Sequence, residues 1–229
     1  MRLTVTSICN RISILKPSLG ALLLCCGAAA QAQYVGPTPY ASFAGSPFSS
    51  VSFNYFHLEN FEDGLLNTPG VTASAGVPVN FGSDSVAGGI WTYYSNGTNS
   101  LNFTFNAAAL GGQLPTHVGL VWADVGIASP TYGFGNVQFE AFDATSTSLG
   151  VFGPFLMGDG SNANGTAEDR FLGIVNAPGG IKSIRITMPG STDWELDHLQ
   201  YGYAVVPEPS AICLSLAGMA ALLRRTRQS

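Results

Sequence analysis

Positive charge is scarce in this chain of 229 residues, and its distribution matters more than its total. Charged residues make up 10% of the sequence, less than half the roughly 25% of an ordinary soluble domain. No Lys or Arg lies between Lys16 and Arg170. Residues 33–206 hold only Arg170, Lys182 and Arg185 against 13 acidic residues, a net charge of −10. Such a surface cannot neutralise phosphates, which excludes nucleic acid as a partner. Cysteine is missing from the same stretch. Cys9, Cys25, Cys26 and Cys213 all lie outside it, so the body has no disulfide and no thiolate metal centre. The three histidines, His57, His117 and His198, lack zinc-site spacing. There is no Gly-x-Ser-x-Gly, no phosphate loop and no Cys nucleophile.

Apolar and turn-forming residues are plentiful. Aromatics are 11% of the chain, enough to support a packed core rather than disorder. Gly 28 and Pro 13 require frequent turns. The two ends carry their own pattern. Arg2, Arg11 and Lys16 precede a 12-residue apolar stretch, Leu19 to Ala30 (LGALLLCCGAAA). Ala30-Gln31-Ala32 follows, with the small residues that a signal peptidase requires. Residues 1–32 therefore read as an export signal, helical in its apolar part and cleaved after Ala32. Leu22-Leu23-Leu24 before Cys25 is unlike a lipobox, which places a small residue next to the Cys.

The other end reads as a second address. Val206-Pro207-Glu208-Pro209-Ser210 is followed by Ala211 to Leu223 (AICLSLAGMAALL), then by Arg224, Arg225 and Arg227. As a helix, thirteen residues would span about 20 Å, short of a hydrocarbon core of roughly 30 Å. The arginines would stay on the cytoplasmic side, leaving the body outside. This tripartite segment, residues 205–229, resembles the PEP-CTERM sorting signal of Gram-negative bacteria. The resemblance implies an exosortase as partner, with transient anchoring by a short transmembrane helix in the inner membrane. Release or attachment at the cell surface would follow. It also implies association with exopolysaccharide and biofilm systems.

Between these ends, residues 33–50 are rich in Gly, Pro, Ser and Ala and read as an extended lead-in. Residues 51–204 show no helical period. Short apolar or alternating runs predict eight or nine strands among 51–62, 90–94, 101–105, 117–125, 137–142, 148–155, 170–175, 181–188 and 194–203. Asn96-Gly97, Gly111-Gly112, Asn164-Gly165 and Pro178-Gly179-Gly180 supply turns, and one helical turn is expected near Asn106 to Leu110. The pattern predicts an all-β fold, an antiparallel sandwich of jelly-roll type. Segments 114–122, 167–173 and 197–202 are similar to the globular domains of other PEP-CTERM proteins, a resemblance that implies no activity.

Asp197 is the leading candidate for chemistry. On a regular strand it shares a face with Leu199, Tyr201 and Tyr203, which would aim a carboxylate at the edge of the core. Jelly-roll binding modules resemble this arrangement and imply a structural Ca²⁺ bridging a carboxylate near the first strand and one on the last. Glu62, Asp63 and Asp197 would be its ligands. The other reading caps Asp197 with backbone N–H groups or with Arg170 or Arg185. Asp159 to Gly165 departs from a Ca²⁺ loop at Ala163 and Asn164, and Asp84 reads as a turn residue.

Glu195-Leu-Asp197-His-Leu-Gln200 is similar to the Glu-x-Asp-x-x-Glu motif of retaining β-glucanases. Here Gln200 replaces the acid/base glutamate. Among the aromatics suited to sugar stacking (Trp91, Tyr93, Tyr94, Trp122, Tyr132 and Trp194), the first three flank the polar loop 95–100 and form the expected platform. The whole describes a non-enzymatic exported surface or matrix protein that binds or packs among exopolysaccharide. A polysaccharide hydrolase or lyase and a ligand-free structural component are the alternatives.

Overall fold

The computed structural model describes residues 31–82, 85–125, 136–157 and 168–204. Residues 1–30 of the expected export signal, the loop around Asp159 to Gly165, Asp84, Tyr132 and the whole of 205–229 lie outside the described residues. These include Ala30, the sorting motif Val206 to Ser210, the apolar segment and Arg224, Arg225 and Arg227. Ala32, by contrast, is described and packs against the core.

Twelve strands are present among the described residues: β1 (Gln33–Pro39), β2 (Tyr55–Glu59), β3 (Val71–Ala73), β4 (Val77–Val79), β5 (Thr92–Tyr94), β6 (Ser100–Phe105), β7 (His117–Asp124), β8 (Asn136–Asp143), β9 (Ser148–Leu156), β10 (Arg170–Val175), β11 (Ile181–Thr187) and β12 (Glu195–Tyr203). They form two antiparallel sheets packed as a sandwich. One runs β1-β10-β7-β12-β5-β4, with β2 also paired to β12. The other runs β3-β6-β11-β8-β9. The only helices in the described residues are short 3₁₀ turns, among them Ala107–Leu110, whose N-cap Asn106 accepts from the Ala108 N–H.

Alternation builds the core. Leu101, Phe103 and Phe105 of β6, Val137, Phe139 and Ala141 of β8, and Ile184 and Ile186 of β11 face Val118, Leu120 and Trp122 of β7 across the sandwich. All are fully buried, and each large side chain contributes about 1.5–3 kcal/mol by leaving water. β7 is buried on its other face too. Val121 and Ala123 belong to a second cluster with Tyr40, Phe48, Val86 and Phe171. Gly119 makes this possible, because a Cβ there would run into the Phe171 ring.

The lead-in differs from its sequence reading. Residues 33–39 form the edge strand β1 on β10, and Phe48 is 1% exposed. Its ring packs 5.1 Å from Phe171 and 5.7 Å from His117. Gly36, Pro37 and Pro39 make β1 read as a linker, yet an edge strand tolerates missing N–H groups. Described residues of the lead-in, among them β1, Tyr40 and Phe48, accordingly pack as part of the sandwich.

Candidate functional site

The site around Asp197 depends on a β-bulge. Asp197 pairs with Val121 and Gln200 with Gly119, so β12 carries one residue more than β7 opposite it. His198 takes φ +45° to accommodate it. The bulge puts Leu196, Leu199 and Tyr201 together in the inter-sheet core. Asp197 and Gln200 turn to the opposite face, under the cover of residues 40–53 and 85–91. This corrects the regular-strand expectation that Asp197 shares a face with Leu199.

On that covered face Asp197 is 1% exposed. Its Oδ1 accepts from the His198 N–H at 2.6 Å, and its Oδ2 accepts from the Val86 N–H at 3.0 Å. Ser85 Oγ lies 3.0 Å from the same Oδ2 and 3.3 Å from Glu62 Oε1. Glu62 in turn accepts from the Ile90 and Trp91 N–H groups at 2.9 and 3.0 Å. Burial pushes the Asp197 carboxyl up to about 8, against the pull of its hydrogen bonds and with added repulsion from Glu62. The Ser85 hydroxyl has one proton and two carboxyl neighbours. With Asp197 ionised, Ser85 donates to its Oδ2; with Asp197 protonated, as its raised pKa favours at neutral pH, the acid can donate to Ser85 Oγ while Ser85 donates to Glu62.

The network continues from Asp197. Tyr40 Oη is 2.6 Å from His198 Nδ1, Gln200 Nε2 donates to Tyr40 Oη at 3.3 Å, and Ser46 Oγ donates to Gln200 Oε1 at 2.6 Å. Burial pushes His198 down to about 4, so its ring is neutral at physiological pH. The Tyr40 phenol thus joins Gln200 to the His198 ring. These bonds clamp the lead-in to the sheet.

The structure thus brings Glu62 and Asp197 together and engages Asp63 elsewhere. Asp63 accepts from the Leu65 N–H at 3.0 Å and from Asn67 Nδ2 at 2.7 Å, closing its own turn. The residues do not fit the expected Ca²⁺. The converging carboxylates are surrounded by N–H donors, whose positive ends repel a cation. Among the described residues no three His, Cys, Asp or Glu side chains are placed to hold a metal. Backbone capping of Asp197 is what the geometry contains. Arg185 pairs with Glu140, and Arg170 donates to the Asp169 carbonyl. The glucanase-like segment fares similarly. Glu195 is buried and accepts from Thr92 Oγ1 at 2.8 Å.

The expected aromatic platform divides. Tyr93 is 2% exposed, its ring in the core and its hydroxyl on the Ala75 carbonyl. Burial pushes its phenol up to about 12. It is therefore not a surface residue, because β5 alternates and its middle position faces inward. Trp91 is half-buried over Gly64, where a Cβ would sit 2.9 Å from the indole. Tyr94 points outward from the sheet, its ring 5.8 Å from that of Phe81. Trp122 and Trp194 are core, their rings 5.1 Å apart. Sequence reasoning missed Ser85, Tyr40 and Phe81, none of which carries a motif.

No family model, curated protein or solved structure matches this chain.

Proposed function

We propose that this is an exported, non-enzymatic cell-surface or matrix protein, processed at its C-terminus by an exosortase, whose jelly-roll sandwich binds carbohydrate of the surrounding exopolysaccharide. One observation carries the reading. β1 opens at Gln33, the residue after the expected signal cleavage, and β12 closes at Tyr203, three residues before Val206. Both sheets are thus built from strands that lie between the two expected address labels, which supports the reading.

The strand order supports the jelly-roll assignment. β2-β12-β7-β10 faces β6-β11-β8-β9. The chain passes between the sheets at every step among these eight except β8 to β9, the interleaving that two Greek keys produce. The carbohydrate part rests on fold-level analogy with binding modules and on the aromatic side chains at the sheet edge. Signal peptidase and exosortase are the processing partners, and the net charge of −10 keeps the body off anionic lipid.

Replacing Pro207, Glu208 and Pro209 together by Ala tests the reading. The expected result is a longer, membrane-held form in place of the processed protein at the surface or in the medium. Unchanged processing and localisation would overturn it.

A further inference from the structure

The half-exposed aromatics lie beside a polar cleft. Phe81 is 50% exposed, and its ring meets that of Tyr94 nearly at right angles, forming a corner of two apolar faces. The Tyr94 phenol faces the Asp193 carboxylate. Its pKa is raised by burial and then by that neighbouring charge. Asp193 is exposed and lines a cleft of about 240 Å³ with Asn99 and Thr192. The cleft is held in shape from beneath: Ser95 Oγ donates to the Thr192 carbonyl at 2.7 Å, and the Met188 N–H donates to the Asn99 carbonyl at 2.9 Å.

We infer that Phe81, Tyr94, Asn99, Thr192 and Asp193 form a subsite for a neutral pyranose chain. The inference rests on the carbohydrate-binding reading above and specifies its place and ligand class. An aromatic face covers the apolar C–H face of a pyranose, while a carboxylate, an amide and a hydroxyl in the adjoining cleft meet its hydroxyl rim. The carboxylate accepts the stronger, charge-assisted hydrogen bonds. Charge selects the class. Asp193 lines the cleft, and none of the body's three basic side chains does, so a polyuronate would meet a carboxylate there with no cation among the lining residues. A peptide added as a strand fits poorly, because the adjacent edge β4 has three residues and Pro78 lacks an N–H.

The test is native affinity electrophoresis of the full chain, purified from cells, through gels containing hydroxyethylcellulose, galactomannan, dextran or alginate. The expected result is retardation by at least one neutral polymer and none by alginate. Phe81→Ala weakens binding about tenfold, from loss of an aromatic contact, and Asp193→Asn weakens it a few-fold, with unchanged melting temperatures in both. Retardation that both variants retain in full would overturn the subsite and leave the carbohydrate-binding reading standing. Stronger retardation by alginate would overturn the ligand class. No retardation of the wild-type chain in any gel would overturn both the subsite and the carbohydrate-binding reading.

Discussion

Replacing Asp197 by Asn removes one titrating group from the covered face of the sandwich, and the consequence is a change in how stability depends on pH. Asp197 is held at about 8 in the fold, against an ordinary value of 3.8. A raised folded value means that the native state binds a proton that the unfolded chain has released. The associated stability is complete below 3.8, declines as pH rises, and is gone above about 8. Between pH 5 and pH 8 the loss amounts to at most about 4 kcal/mol. For a body of this size that is roughly 10 °C in melting temperature.

Other groups contribute in both proteins. His117 and His198, pushed down to about 4 by burial, cost stability as pH falls through 6.5. Buried Glu59, pushed up, adds a trend of the same sign as Asp197. The informative quantity is therefore the difference between wild type and Asp197→Asn, melted across pH 5 to 8. Asn leaves an amide facing the Val86 or His198 N–H, which costs a roughly constant amount and does not change the slope. The wild type should lose several degrees more than the variant as pH rises. Parallel profiles would refute the protonated Asp197–Ser85–Glu62 arrangement.

Adding Ca²⁺ or EDTA should leave the melting temperature unchanged, because the carboxylates are capped by N–H groups; a rise of several degrees with Ca²⁺ would restore the metal. Phe48→Ala should cost about 3–5 kcal/mol in denaturant unfolding, as for a core aromatic. A cost below about 1 kcal/mol, within the range of a surface substitution, would mean that the lead-in is not part of the fold. Gly119→Ala should cost about 1–3 kcal/mol, because the new methyl displaces the Phe171 ring from β7. A neutral result in the same assay would contradict that packing.

Most strands with a clear period are legible in the sequence, although the alternation of Val51, Phe53 and Tyr55 lies mostly ahead of β2, which spans only Tyr55–Glu59. Leu101-Asn102-Phe103-Thr104-Phe105 alternates and forms β6, and the apolar run from His117 forms β7, buried on both faces. What escaped is short or punctuated: β3 and β4 have three residues each, and β1 carries one Gly and two Pro. Their pairing is supplied by long-range neighbours, which a local pattern cannot carry. The proximity of Glu62 and Asp197 was expected from resemblance, but its chemistry was not. The bulge that turns Asp197 away from Leu199 comes from the pairing of β12 with β7. The N–H groups that surround the carboxylates come from backbone segments of ordinary composition. Tyr93 was misplaced because Thr92-Tyr93-Tyr94 gives no sign of which aromatic faces inward. Phe81 was overlooked because one aromatic beside a Gly is unremarkable until Tyr94 is next to it.

The central claim is that the sandwich is the mature protein and that both ends are removed or processed on the way out. Intact mass spectrometry of the protein recovered from cell envelope, medium and cytosol addresses it directly. The account predicts a chain outside the cytosol that begins at Gln33 and has lost Arg224, Arg225 and Arg227. A single cytosolic species with the full mass of Met1–Ser229 would contradict it.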